Sequence, residues 1–259
     1  MESEYKTRGV WDTINTVRTI AVSMITIIGT GHVFNISEQI MFLVKQIWPQ
    51  AVLVELDESR LRMLEASRSE LQEKAGEEQQ ELPWIYRSSA KYQARMAKKY
   101  GTRTGNELLT AVQTGRLVGA EIGTIDMDVV KLTQEMWDEM PFFERARYTI
   151  STVIDRFGGK RRAEKAVEDF TEREDKTLAT MRRRYPTLIR KLIDERNDYM
   201  AERIAGYVER YDNIVVVVGD THVEGLSKHF EDMEIRKIRL GDILNKESLD
   251  RIKAEVWNR

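Results

Sequence analysis

Residues 213–222 read NIVVVVGDTH, an apolar run of one isoleucine and four valines that closes on a glycine, two polar residues and a histidine. A short unbroken run of β-branched residues, bounded by turn-formers, is the mark of a strand covered on both faces. Asn213 to Val218 is therefore predicted as a buried strand that stops at Gly219. The stretch Thr19 to Ile28, TIAVSMITII, repeats the pattern and runs into Gly29-Thr30-Gly31-His32. Each run thus ends in G-x-x-H. Glycine allows a sharp turn without a Cβ clash, and a histidine just beyond a parallel strand stands at the carboxyl edge of the sheet, where ligands of open α/β sheets bind.

Working outward, Ser37 to Trp48 carries Ile40, Phe42, Leu43 and Ile47 at helical spacing, with Ser37 as the expected N-cap and Pro49 as the stop. Ala51 to Leu56 (AVLVEL) is a second strand, so the segment is a right-handed βαβ unit with parallel pairing. Glu121 to Asp126 is a third strand and Glu234 to Leu240 a half-buried one. Helices are expected over Asp57 to Gln80, Trp84 to Tyr100, Glu107 to Val118, Asp128 to Met140, Pro186 to Tyr211 and His222 to Met233. The fold class is α/β: a mostly parallel or mixed central sheet flanked by helices. No linker of biased composition divides the chain, so 1–259 reads as a single domain, with 141–185 as a charged helical insertion or arm hinged at Gly158-Gly159.

Composition narrows the function. The chain has 259 residues, with 41 Lys and Arg against 43 Asp and Glu, a net charge of −2. No basic tract stands out, which argues against nucleic acid as a partner. The absence of cysteine removes thiol nucleophiles and thiolate metal sites. No apolar run reaches membrane-spanning length, and MESEYKTRGV lacks the apolar core of a secretory leader. The expectation is a cytoplasmic protein, or the soluble part of a membrane-associated one.

Histidine chemistry must come from His32, His222 and His229, and His229 has no glycine context and reads as a surface residue. If the strands are parallel, Glu55 and Asp126 reach the same edge as His32 and His222. Imidazole and carboxylate together suit Zn²⁺, Mn²⁺ or Co²⁺, and such an ion polarises carbonyls and activates water. Arg196 falls in the apolar stripe Ile189, Ile193, Met200, Ile204, Tyr207, Tyr211, where an unpaired guanidinium is costly. Its partner is either Glu55 or a bound anion. Asn197 and Asp198 flank it, and Ser37 and Asp220 are further supporting candidates. Blander readings stand beside these: Glu55 as a helix cap or partner of Arg60, Arg196 as a structural ion pair, and each histidine as a hydrogen-bonding core residue. The site reading is a metal-dependent hydrolase; the alternative is a non-catalytic peptide-binding protein.

The segments GTGHVFNIS (29–37), VELDESR (54–60), YGTRTGNELLTAV (100–112), GAEIGTIDMDV (119–129), LIDERNDYMAERI (192–204) and VVVVGDTHVEGL (215–226) together resemble the TraB/pheromone-shutdown family, related to the Tiki-type metalloproteases. The resemblance implies an erythromycin-esterase-like core and divalent-metal-dependent hydrolysis of peptides in the Tiki branch. In the pheromone-shutdown branch it implies inhibition of a signalling peptide. It carries function onto His32, Glu55, Arg196 and His222. Family members often read I-D-R-D where this chain has Ile125-Asp126-Met127-Asp128. Many archaeal relatives also carry a membrane-spanning C-terminal region. A peptide is the partner implied, with homo-oligomerisation through the charged helices as a further expectation.

Overall fold

The computed structural model describes residues 24–31, 34–66, 105–157 and 176–257. Five strands form one sheet: β1 (Met24–Thr30), β2 (Ala51–Val54), β3 (Glu121–Thr124), β4 (Asn213–Gly219) and β5 (Glu234–Ile238). Their spatial order is β3-β2-β4-β1-β5, and every pairing is parallel. The valine run is the centre of the sheet, with β4 between β1 and β2. That position explains its composition, because a central parallel strand meets a helix layer on both faces. Alternate residues divide accordingly: Val215 and Val217 face one apolar cluster, and Ile214, Val216 and Val218 face the other. β5, on the edge, is only partly buried, as its alternation EIRKI requires.

The helices follow the direction of each crossover. From β1 to β2 and β3 the chain steps one way along the sheet; from β3 to β4 and β5 it steps back. Right-handed crossovers travelling in opposite directions lie on opposite faces. One face accordingly holds α1 (Ser37–Ile47) and α3 (Asn106–Leu117), through Ile40, Leu43, Val44, Leu108, Ala111 and Val112. Between them in the chain runs α2 (Glu58–Glu65), whose N-cap Asp57 accepts from Arg60 N–H at 2.9 Å. After β3 come α4 (Val129–Glu139), capped by Asp128, then α5 (Phe142–Phe157) and α6 (176–184).

The helix α7 is one run of three parts, Pro186–Ile189, a π-helical turn Arg190–Asp194, and Glu195–Val208. It packs Met200, Ala201 and Ile204 on the second face, beside α8 (Asp220–Lys228) with Val223 and Leu226. Two short helices, α9 (Leu240–Leu244) and α10 (Lys246–Trp257), close the described chain. A third cluster joins Met136 and Met140 to Tyr185, Leu188 and Ile189 beneath α5 and α6. There Glu144 of α5 accepts from the N–H groups of Thr187 and Leu188 at the start of α7, at 3.0 and 3.2 Å.

Several local expectations change. Ser37 is not the cap of α1: Ile36 holds that position, and the Ser37 hydroxyl instead accepts from Asn106 Nδ2 at 2.7 Å, tying α1 to α3. The continuous α7 stripe divides at the π turn, where an extra residue shifts the helical phase. Ile189 therefore joins the third cluster, and Met200 and Ile204 meet the sheet. The helix after β4 begins at Asp220, two residues before the expected start, and ends at Lys228, so His222 lies within its first turn. Gly29 lies inside β1 and not in a turn; a Cβ there would overlap the Asp220 carboxylate, so the requirement is close approach.

Candidate functional site

Glu55 and Asp126 both stand one or two residues beyond a strand, and backbone hydrogen bonds fix each in place. Glu55 N–H donates to Val217 O at 3.0 Å, and Asp126 N–H donates to Leu56 O at 3.2 Å, so the ladder pattern runs past the last strand residues. Both carboxylates thereby project at the carboxyl edge beside β4. From the second face, α7 delivers Arg196 and Asn197, and the first turn of α8 delivers His222.

Arg196 is the hub. Its Nε and Nη2 form a bidentate pair with Asp126, at 3.0 and 2.8 Å. Nη2 also donates to Glu55 Oε1. Nη1 faces Leu192 O and His222 Nε2, each at 3.3 Å. A guanidinium has five N–H groups; four donate to Asp126, Glu55 and Leu192 O, and the remaining one faces the His222 ring. The side chains are nearly closed to solvent: Arg196 is 11% exposed, Glu55 6% and Asp126 0%. Burial alone would lower the Arg196 pKa, but the adjacent Glu55 and Asp126 charges outweigh it and hold the guanidinium above its ordinary value. Burial pushes the Asp126 carboxyl above its ordinary value, against the pull of Arg196.

The second Glu55 oxygen is also taken. Oε2 accepts from Gly219 N–H at 2.5 Å, and a Cβ at Gly219 would sit 3.3 Å from that oxygen. The glycine after the valine run therefore serves approach of backbone to carboxylate. Its φ is −58°, a value any residue adopts. His222 Nε2 lies 3.6 Å from Glu55 Oε1, and Nδ1 lies 2.7 Å from Asn197 Oδ1. Arg60, in α2, reaches Asp126 Oδ2 at 3.5 Å from a partly exposed position.

The structure thus brings together Glu55, Asp126, Arg196, Asn197 and His222. It leaves others apart. Asp220 belongs to a neighbouring cluster, accepting from Arg239 Nε at 3.1 Å, Arg239 Nη2 at 2.8 Å and Leu240 N–H at 2.7 Å. That cluster pins the starts of α8 and α9 together. Ser37 sits at the α1–α3 contact. Asp198 and His229 pair with each other at 3.3 Å, His229 being partly exposed as its sequence context suggested. His32 lies outside the described residues. Glu55 does not cap α2, which Asp57 does. Sequence reasoning gave Asp126 a minor part, yet it is the bidentate partner of Arg196. It also overlooked Gly225, three residues after His222, whose missing Cβ leaves room for the Asn197 amide.

These features define a class: a three-layer parallel α/β protein with a buried Glu-Arg-Asp-His cluster at the carboxyl edge. The chain belongs to the TraB/PrgY/gumN family, whose profile matches residues 16–240. It is similar to an uncharacterized protein of Methanocaldococcus jannaschii, 26% identical over 214 residues, which are 81% of this chain and 54% of the relative. The chain therefore spans about half the length of that curated relative. No solved structure matches it significantly. None of these comparisons bears on the relation to Tiki-type proteases.

Proposed function

We propose that the chain is a metal-dependent hydrolase of peptides, working at the Glu55–His222 pair. One observation carries this reading: His222 Nε2 and Glu55 Oε1 converge to 3.6 Å while each residue is held from behind. Asn197 fixes the imidazole, and Arg196 with Gly219 N–H fixes the carboxylate. Polar groups oriented this firmly at a ligand-binding edge are the raw material of catalysis.

The donor set fits a divalent ion in type: a neutral imidazole whose other nitrogen bonds an amide oxygen, and a carboxylate. Among the described residues no group of three such donors stands together. The sequence supplies His32 as the third ligand, on the strength of the paired G-x-x-H segments. Bound there, Zn²⁺, Mn²⁺ or Co²⁺ supplies Lewis acidity and a more acidic water.

The chain's own residues do the rest. Glu55 is either a ligand of that ion or the proton acceptor for the attacking water, and its two bonds hold it in one rotamer. Arg196 positions Glu55. Asp126 holds Arg196 in register. The test is hydrolysis of a mixed peptide library with each of the three metals added, by the parent chain and by Glu55→Gln and His222→Ala. Turnover in the parent and its loss in both variants supports the reading. Turnover that survives in either variant removes it, as does peptide binding without cleavage.

A further inference from the structure

Arg60 is a cation at the carboxyl edge that the buried cluster leaves largely uncommitted. It lies in the first turn of α2, where its backbone N–H donates to the Asp57 cap at 2.9 Å. Among the described residues its guanidinium has one ion-pair partner, Asp126 Oδ2, at 3.5 Å. That is longer than the usual span of about 2.7–3.2 Å for such a bond. Asp126 is already served by others. Its Oδ1 accepts from Arg196 Nε at 3.0 Å and from Met127 N–H at 2.9 Å, and its Oδ2 accepts from Arg196 Nη2 at 2.8 Å.

Exposure separates the two arginines that meet Asp126 Oδ2. The Arg196 side chain is 11% exposed and that of Arg60 27%. Arg196 donates inside the protein, whereas Arg60 leaves most of its five N–H groups to solvent. A planar fork of that kind matches a carboxylate with two parallel bonds. In the chain of contacts only Asp126 Oδ2 and Arg196 Nη2 stand between Arg60 Nη1 and Glu55 Oε1. Two or three extended residues, at about 3.5 Å each, bridge that gap.

We infer that Arg60 is a specificity residue of the site and binds a carboxylate of the peptide two or three residues from the bond at Glu55. The inference rests on the proposed hydrolase for its peptide, but its test reads binding and needs no turnover. Two groups carry this chemistry: the C-terminus of a short peptide, and an Asp or Glu side chain. An anionic ligand approaching Glu55 and Asp126 meets like charge, and Arg60 offsets that repulsion on the solvent side, where the ligand arrives.

The experiment is competitive retention of mixed pentapeptides by the full chain in metal-free buffer, read by mass spectrometry. Four pools compete: C-terminal acid or amide, each with or without Asp and Glu. The parent should retain at least one carboxylate-bearing pool about tenfold over the amide pool that lacks acids, and the pool retained names the source. Arg60→Gln should erase that preference. Arg60→Lys keeps the charge without the fork and should keep part of it. Urea midpoints check folding, and Arg60→Ala replaces the glutamine variant should that one fail to fold. Equal retention of the four pools by the parent overturns the proposal. So does a preference that survives in folded Arg60→Gln, including a loss shared equally by all four pools, which is a structural effect. Absence of cleavage when metal is added would remove the hydrolase and leave the anchor standing; cleavage without any carboxylate preference would do the reverse.

Discussion

The two ends of the sheet carry the same chemistry in opposite surroundings. At the carboxyl edge Arg196 grips Asp126 bidentately and reaches Glu55, with side chains 11%, 0% and 6% exposed. At the amino edge Arg210 grips Glu121 bidentately, at 3.3 and 3.1 Å, with side chains 51% and 38% exposed. Tyr211 also donates to Glu121 there. Both arginines lie on or just after α7, and the carboxylate each grips bidentately lies on or just after β3. Water makes the difference. An exposed pair exchanges one well-solvated state for another, whereas a buried cluster has lost its hydration and depends on every partner being present. A fold gains little stability from such a cluster; what it obtains is fixed geometry.

The largest expected effect follows directly. Arg196→Met keeps the volume but strands two buried carboxylates, and should lower the unfolding free energy by about 3–5 kcal/mol. Urea unfolding at neutral pH measures it; a midpoint equal to the parent's would mean the cluster is wetter than its burial indicates. Next comes Glu55→Gln. It removes the ligand or proton acceptor and the charge in two hydrogen bonds, so hydrolysis should fall ~10²–10⁴-fold and stability by roughly 1.5–3 kcal/mol. Steady-state rates and urea midpoints separate the two losses. The reverse ordering, stability gone and rate intact, would leave Glu55 a structural residue.

The edges should also respond to pH with opposite signs. Asp126 is held above its unfolded value, so folding takes up a proton. Its contribution is fully present below the unfolded value of about 3.9 and is lost as pH rises through the folded value. Glu121 is held below its unfolded value, chiefly by the Tyr211 hydroxyl and the Arg210 guanidinium. Its contribution is present above the unfolded value and is lost as pH falls through the folded one. Stability of Asp126→Asn relative to the parent should therefore be poorest at the acid end and improve as pH rises through the weakly acid range. Glu121→Gln should compare worst above that range. Chemical denaturation across a pH series checks both, and parallel curves for the two variants would erase the contrast. Smallest of all, Arg210→Ala should leave the urea midpoint within replicate scatter, because the half-exposed Glu121 carboxylate stays hydrated without it.

Much of the fold was legible before any coordinate. The valine run, the apolar run ahead of Gly29 and the AVLV segment each announced a buried parallel strand, and β5 declared its half-buried state through alternation. Pro186 marked the start of α7, where it holds the first helical position. The placing of Glu55, Asp126, Arg196 and His222 at one edge was also visible, since strand ends and an arginine on an apolar stripe are local patterns; His32, expected beside them, lies outside the described residues. Less legible were the reasons for the glycines. Gly29 and Gly219 suggested turns, whereas the structure uses both for close approach to carboxylates. The π turn at Arg190–Asp194 left no mark in RKLID, and without it the α7 stripe looks continuous.

Periodicity, β-branching and breakers act over a few residues, so the chain alone determined its strands, most of its helices and the edge to which its polar residues go. Which carboxylate Arg196 grips, what holds the His222 ring and why position 225 has no side chain involve groups 25 to 141 residues apart. Those choices belong to tertiary structure, because hydrogen-bond direction and steric contact depend on separation in space, which local sequence patterns do not encode.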